Sequence, residues 1–229
     1  MQRPGLYIVL SLVLQVNNLN GQTLIGAYGG FNFSSFFQQS TILTHYYEAD
    51  FDSKGSYLLG MHYKRSKASL FHLSLSLDYL LRKVFLDYAY GGKGGQTYSE
   101  YNVDIHSVNL RVLPGLRLGK NSGIYINAGP YVGYIISSQM DGEYKYRSTY
   151  EDPHDGTVSG SASDLFKGFD IGFCASLGIE IPVCKTVLLL PEAGYSMGLN
   201  SIGNGIFEDT GRLNSSNIYL TLGVVYSLE

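Results

Sequence analysis

Apolar and polar positions alternate with a period of two through most of this chain. Over residues 166–181 the odd positions are Lys167, Phe169, Ile171, Phe173, Ala175, Leu177, Ile179 and Ile181. The even ones are Phe166, Gly168, Asp170, Gly172, Cys174, Ser176, Gly178 and Glu180. Successive side chains of a strand point to opposite faces, so this segment carries one apolar face and one small, polar or charged face. From Phe71 the pattern recurs, with Phe71, Leu73, Leu75, Leu77, Tyr79 and Leu81 opposed to His72, Ser74, Ser76, Asp78 and Arg82. From Ile124, the series Ile124, Ile126, Ala128, Pro130, Val132, Tyr134 and Ile136 opposes Tyr125, Asn127, Gly129, Tyr131, Gly133 and Ser137.

The alternation predicts eight strands, at about 24–33, 56–66, 69–87, 102–118, 123–138, 166–181, 187–199 and 217–228. Each is long enough for a tilted membrane crossing of about 9–11 residues. Short links at 66–68, 119–122 and 182–186 alternate with long polar ones at 34–55, 88–101, 139–165 and 200–216. Strict alternation of short and long connections is the mark of an up-and-down antiparallel barrel with a periplasmic and an extracellular rim. The expected fold is therefore all-β, an eight-stranded antiparallel up-and-down transmembrane β-barrel.

Charge placement decides which face meets lipid. Asp78, Arg111, Arg117, Asp170, Glu180 and Glu192 all share the polar parity. A lysine or arginine facing the bilayer midplane costs about 2–4 kcal/mol. Arg65 and Lys167 lie on the apolar parity but near strand ends, where a long side chain can snorkel. A soluble lipocalin-like barrel would reverse the arrangement and enclose its apolar face. Tyr57, Tyr63, Tyr79, Tyr134 and Tyr226, with Phe33 and Phe169, are expected to form interfacial girdles in a chain that has no Trp. Pro114, Pro130 and Pro191 fall inside strands and remove ladder donors, which predicts bulges beside Gly115 and Gly129.

Residues 1–21 combine Arg3, an apolar run from Leu6 to Leu14 and a small residue at Gly21, which reads as a secretory signal peptide before a barrel domain at 22–229. The chain has 229 residues with 15% charged, 20 Tyr, 11 Phe and a net charge of −3. That balance excludes a generic nucleic-acid binder, since phosphate contacts require surplus Lys and Arg. The two cysteines, Cys174 and Cys184, read as free thiols.

Several stretches resemble the PorT-like outer-membrane β-barrel family, the Bacteroidetes-type outer membrane protein β-barrel domain. Val108–Leu116 resembles its L-x-I-P-L strand, and Ala128-Gly129-Pro130-Tyr131-Val132-Gly133-Tyr134 its G-P-x-x-G-Y pattern. Phe169-Asp170-Ile171-Gly172, Gly178-Ile179-Glu180-Ile181-Pro182 and Gly194–Ile202 resemble its D-x-G, G-I-E-x-P and R-Y-x-x-G-L-x-x-I elements, with Gly194 in place of the Arg. Thr221–Leu228 resembles the last-strand signal read by the barrel assembly machinery, ending Leu228-Glu229 where a Phe is usual. The resemblance implies an eight-stranded barrel in the bacterial outer membrane. It also implies a structural role or an accessory role in an envelope or secretion complex.

Eight-stranded barrels have interiors that side chains fill. Lys64, Arg111, Arg117, Glu180 and Glu192 are expected to pair across the lumen as a structural plug, with Arg111 and Glu192 at a common level. A narrow porin-like channel for small solutes is the alternative. His62 and His72, placed opposite each other by a turn at 66–68, are too few ligands for a metal site, and none is expected. His72-Leu73-Ser74 faces the lumen without a third carboxylate, and Gly91-Gly92-Lys93-Gly94-Gly95 lacks phosphate-loop spacing, so no enzyme and no cofactor are expected. The segment 140–163 is read as an exposed interaction loop through Tyr144, Tyr146, Arg147, Glu151, Asp152 and Asp155. The expected partners are outer-membrane lipid, the assembly machinery during insertion, and other envelope proteins.

Overall fold

A computed structural model describes residues 22–39, 47–67, 70–92, 95–118, 123–148, 150, 152–166, 168–203 and 212–228. The predicted signal peptide, Lys167 and Glu151 lie outside the described residues. The strands are β1 (Thr23–Gln39), β2 (Tyr47–Lys67), β3 (Phe71–Gly92), β4 (Gly95–Arg117), β5 (Ile124–Ser148), β6 (His154–Ser161), β7 (Phe169–Ile179), β8 (Ile181–Pro182), β9 (Val187–Gly198) and β10 (Arg212–Leu228). Eight of them, all but β6 and β8, pair antiparallel with their neighbours in chain order, and β10 pairs with β1 to close the ring. β6 extends the wall beside β5 above the rim, and β8 is a two-residue edge on β9.

The outer surface is apolar on every strand of the ring. Phe31, Met61, Phe71, Leu110, Ile136, Phe173, Met197 and Leu220 are among its exposed large hydrophobics. So continuous an exposed apolar belt is foreign to a soluble monomer. On β10 the outward positions from Ile218 to Leu228 are all apolar. At about 3.3 Å per residue and a tilt of roughly 40°, their span matches the ~25 Å apolar band of outer-membrane barrels. Tyr57 lies against Tyr79 at 6.4 Å between ring centroids, and Tyr134 against Phe169 at 5.2 Å, which builds the outer aromatic girdle. Arg65 sits on the outward parity at the short-turn end of β2, within snorkelling reach of the interface.

The structure corrects three expectations. Three of the long polar connections are mostly ladder: β1 runs to Gln39 and β2 is paired from Tyr47, β3 and β4 stay paired out to Gly92 and Gly95, and β5 runs to Ser148 and turns back as β6. The wall therefore stands well clear of the membrane on the β2–β6 side. The β2–β3 ladder runs on to Lys67↔Phe71, past the turn expected at 66–68.

The prolines produce no bulges. Register is continuous past all three, and the ladder's register shifts lie elsewhere, at Lys54/Leu58 and His106/Ser107. Pro114 and Pro130 instead share one interruption of the β4–β5 ladder, which lapses between Arg111↔Tyr131 and Gly115↔Asn127. Each keeps its partner on the opposite side, Leu73 and Phe173 respectively. Pro191 likewise sits where β9 leaves its β7 partner, beyond Gly178↔Glu192, before β8 takes over at Leu189. A residue without an N–H costs least where no ladder bond is made, so the donors' absence is concentrated in two gaps.

Candidate functional site: the lumen and the outer wall

Polar parity brings the charged residues inside, and strand stagger decides which of them meet. Nearest the short turns, Lys64 donates to Glu180 at 2.6 Å, and Arg117 contacts the same carboxylate. The Lys64 ammonium also lies 3.6 Å from the centroid of the Tyr125 ring. One level up, Asp78 collects Arg111 at 3.0 Å, Asn109 at 3.1 Å and the Tyr28 hydroxyl at 3.2 Å. The Arg111 guanidinium stacks 4.5 Å from the Tyr219 ring centroid. Glu192 accepts from Tyr125 at 3.2 Å and Asn127 at 3.3 Å. Higher still, Asp170 accepts from Arg82 at 2.6 Å, Ser215 at 2.8 Å and Tyr131 at 3.0 Å.

Thus Lys64, Arg117 and Glu180 come together as expected. Arg111 and Glu192 do not form the expected ion pair: Arg111 goes to Asp78, and Glu192 is held by neutral donors. The buried pair Arg82–Asp170 had been visible only as two residues of the right parity. Each buried carboxylate here has several donors, which is the condition under which a charge is tolerated away from water.

Room for these side chains comes from glycine. A Cβ on Gly178 would lie 2.3 Å from Tyr125 Cζ, and one on Gly194 would lie 2.2 Å from Tyr219 Cζ. Gly178 is the β7 partner of Tyr125, and Gly194 the β9 partner of Tyr219. Each ring therefore lies across the bare backbone of the next strand. Tyr131 and Gly172 repeat the arrangement.

His62 and His72 are not opposite each other. With Lys67 paired to Phe71, His62 faces Ser76 and His72 faces Ser66. His62 Nδ1 is 3.1 Å from Ser76 Oγ, and His72 Nε2 is 2.6 Å from Asn127 Oδ1. Ser74 is fully buried, facing the lumen and not the bilayer. Cys174 is buried in the lumen wall, Cys184 is exposed near the short turns, and both are free thiols.

Above the ionic levels the lumen changes character. Phe36, Phe51, Val84, Leu86, Val103, Ile105, Ile135, Ala162, Phe166, Ile202 and Leu213 form one buried apolar cluster. Its residues come from β1 to β5 and β10, with Ala162, Phe166 and Ile202 folded over from the connecting segments. Sequence reasoning missed this cap. Its signal was the loss of alternation at Leu80-Leu81 and Val84-Phe85-Leu86, where both parities turn apolar.

The expected interaction loop is a two-stranded hairpin. Tyr144 pairs with Gly156 and Tyr146 with His154, whose ring lies 4.7 Å from that of Tyr146. Arg147 donates to Asp155 at 2.5 Å, an exposed pair that raises the guanidinium's pKa and lowers that of the carboxyl through their hydrogen bond. Asp152 is exposed beside it.

A closed, up-and-down ring with a greasy exterior and an ionic interior defines an outer-membrane barrel. Residues 13–204 match the family described as outer membrane protein beta-barrel domain, and the chain belongs to that family. Its place is the bacterial outer membrane. Among solved structures, OprG of Pseudomonas aeruginosa is similar at 14% identity and a TM-score of 0.46, covering 91% of this chain and 96% of that one. Ail, the attachment invasion locus protein of Yersinia pestis, aligns at 10% identity and 0.39, covering 92% and 100%. Neisserial surface protein A aligns at 10% and 0.41, covering 90% and 99%. No curated protein matches the sequence.

Proposed function

We propose that this protein is a non-conducting, non-catalytic barrel that presents its extracellular β2–β6 wall to other components of the envelope. The observation that carries the reading is the apolar cap. An ion passing the lumen would cross a buried cluster of eleven hydrophobic residues after leaving the charged levels. Transfer of an unpaired ion into such surroundings is prohibitive. With the lumen filled, the surface left for recognition is the raised wall with its tyrosine-rich β5–β6 hairpin. Outer-membrane lipid surrounds the barrel, and the final strand serves the assembly machinery during insertion. The resemblance to the PorT-like family supports an accessory role in an envelope or secretion complex.

Planar bilayer recordings test the sealed lumen. The expected trace shows no steady conductance, whereas a stable open level would replace this reading with that of a narrow channel for small solutes. Gentle extraction from native membranes tests the docking role. A co-purifying partner should be lost when Tyr144, Tyr146 and Arg147 are replaced by alanine, with the barrel still folded.

A further inference from the structure

The outward face just above the lipid band is not featureless. Cross-strand register places Lys54 opposite Lys83, Lys83 opposite Asp104, Asp104 opposite Gln139, and Gln139 opposite Ser161. This is one unbroken polar row over five strands, β2 to β6. The next row up runs Phe85, Asn102, Asp141 and Ser159. Both rows lie on the lipid-facing side of the wall, by direct alternation on β3 and β4, and on β2 and β5 after the register shifts at Lys54/Leu58 and His106/Ser107. All of these residues but Phe85 line a cavity of about 700 Å³ on the outside of the wall.

Its height is fixed by what lies beneath. Tyr79 and His106, whose side chains are hydrogen-bonded to each other, sit on the same faces of β3 and β4, four residues below Lys83 and two below Asp104. Below these come the apolar columns Leu77 and Leu75 on β3 and Val108 and Leu110 on β4. From Tyr79 to Lys83 is four residues, about 13 Å along the strand. The groove therefore stands at the level of lipid headgroups, continuous with the wall that acyl chains touch.

Its two ends differ in chemistry. At the β2–β3 end two ammonium groups are cross-strand neighbours, an arrangement that is unfavourable unless an anion joins them. Asp104 meets Lys83 at 3.0 Å. Among the described residues, Lys54 contacts the neutral Asn102 side-chain oxygen and the Phe85 ring, 5.1 Å away. At the β5–β6 end stand Gln139, Asp141, Ser159 and Ser161, planar amides and carboxylates with hydroxyls, groups suited to a sugar's vicinal hydroxyls.

We infer that this groove binds the phosphorylated sugar headgroup of an outer-leaflet glycolipid, with phosphate at Lys54 and Lys83, sugar hydroxyls at Gln139 and Asp141, and acyl chains against the apolar columns below. The site lies outside the barrel and is independent of whether the lumen conducts.

The test is native mass spectrometry of the full folded chain in detergent, titrated with a bis-phosphorylated diglucosamine lipid. Its dephosphorylated form and phosphatidylglycerol serve as comparison lipids. Wild type should retain the phosphorylated glycolipid at least about tenfold more strongly than either comparison lipid, because charge-assisted contacts and sugar contacts each contribute. The K54Q/K83Q variant should lose that preference, and K54R/K83R should keep it. Gel mobility before and after boiling verifies that each variant is folded. Equal retention of all three lipids by wild type overturns the proposal without any variant. So does undiminished preference in folded K54Q/K83Q.

Discussion

The lower and upper halves of the lumen solve the same packing problem in opposite ways. Toward the short turns, inward positions carry Lys64, Asp78, Arg111, Arg117, Glu180 and Glu192, each charge met by partners on other strands. Toward the extracellular rim, inward positions carry Val84, Leu86, Val103, Ile105 and Phe166, packed as in the core of a soluble protein. The lower half depends on matched geometry: one lost partner strands a buried ion. The upper half depends on volume, and its packing is non-directional. A barrel interior need not be uniformly wet, and the change from ions to hydrocarbon occurs just above Asp170.

Variants can break this contrast, beginning with the largest effect. Asp170→Ala should be the most damaging, because it leaves the Arg82 guanidinium buried without its carboxylate. Removal of one partner of a buried pair costs about 3–5 kcal/mol, read as a lower urea midpoint for unfolding from lipid vesicles. A midpoint within error of wild type would show that Arg82 is hydrated in situ.

Phe166→Ala should cost nearly as much, about 3 kcal/mol in the range for buried aromatics. It should also do what no lower-lumen variant does and admit a measurable ionic current in planar bilayers. A silent Phe166→Ala together with a conducting Lys64→Ala would invert the proposed seal.

Gly194→Ala comes next. It forces a methyl against Tyr219 and should destabilise by about 1–3 kcal/mol, the usual cost of overpacking. The same replacement at the open Gly160, where nothing lies within 4 Å of a Cβ, should be neutral by the same urea assay.

The smallest effect belongs to the exposed tip. Arg147 holds the Asp155 carboxyl below its ordinary pKa, so the pairing is complete above the unfolded carboxyl's pKa and is lost only as pH falls through the lower, folded value. Arg147→Gln should move the Asp155 titration upward in NMR without shifting the global unfolding midpoint.

Much of this was legible beforehand, and the misses have physical causes. The strand faces and the lipid belt follow from alternation within each segment, and the up-and-down barrel from the alternation of short and long links between them. The partner of Arg111 was misread because pairing across a lumen depends on tilt and stagger, which a comparison of heights along separate strands leaves out. The histidines were misplaced because the β2–β3 ladder runs on to Lys67↔Phe71, enough to move His62 from His72 to Ser76. The apolar cap was hidden because half of it lies on predicted strands, as Val84, Leu86, Val103, Ile105 and Ile135, while Phe36, Phe51, Ala162, Ile202 and Leu213 fall in stretches read as links, and only the closed ring brings the two sets together.

By itself the sequence determined that alternate residues face lipid and lumen, and hence the class of fold and its membrane. Side-chain period is a local consequence of backbone geometry and survives any error in register. Only the tertiary structure decided which carboxylate meets which cation, where the ionic lumen gives way to hydrocarbon, and that five strands align Lys54, Lys83, Asp104, Gln139 and Ser161 in one row. Those relations join residues far apart in the chain. They exist only once the ring has closed with one particular stagger.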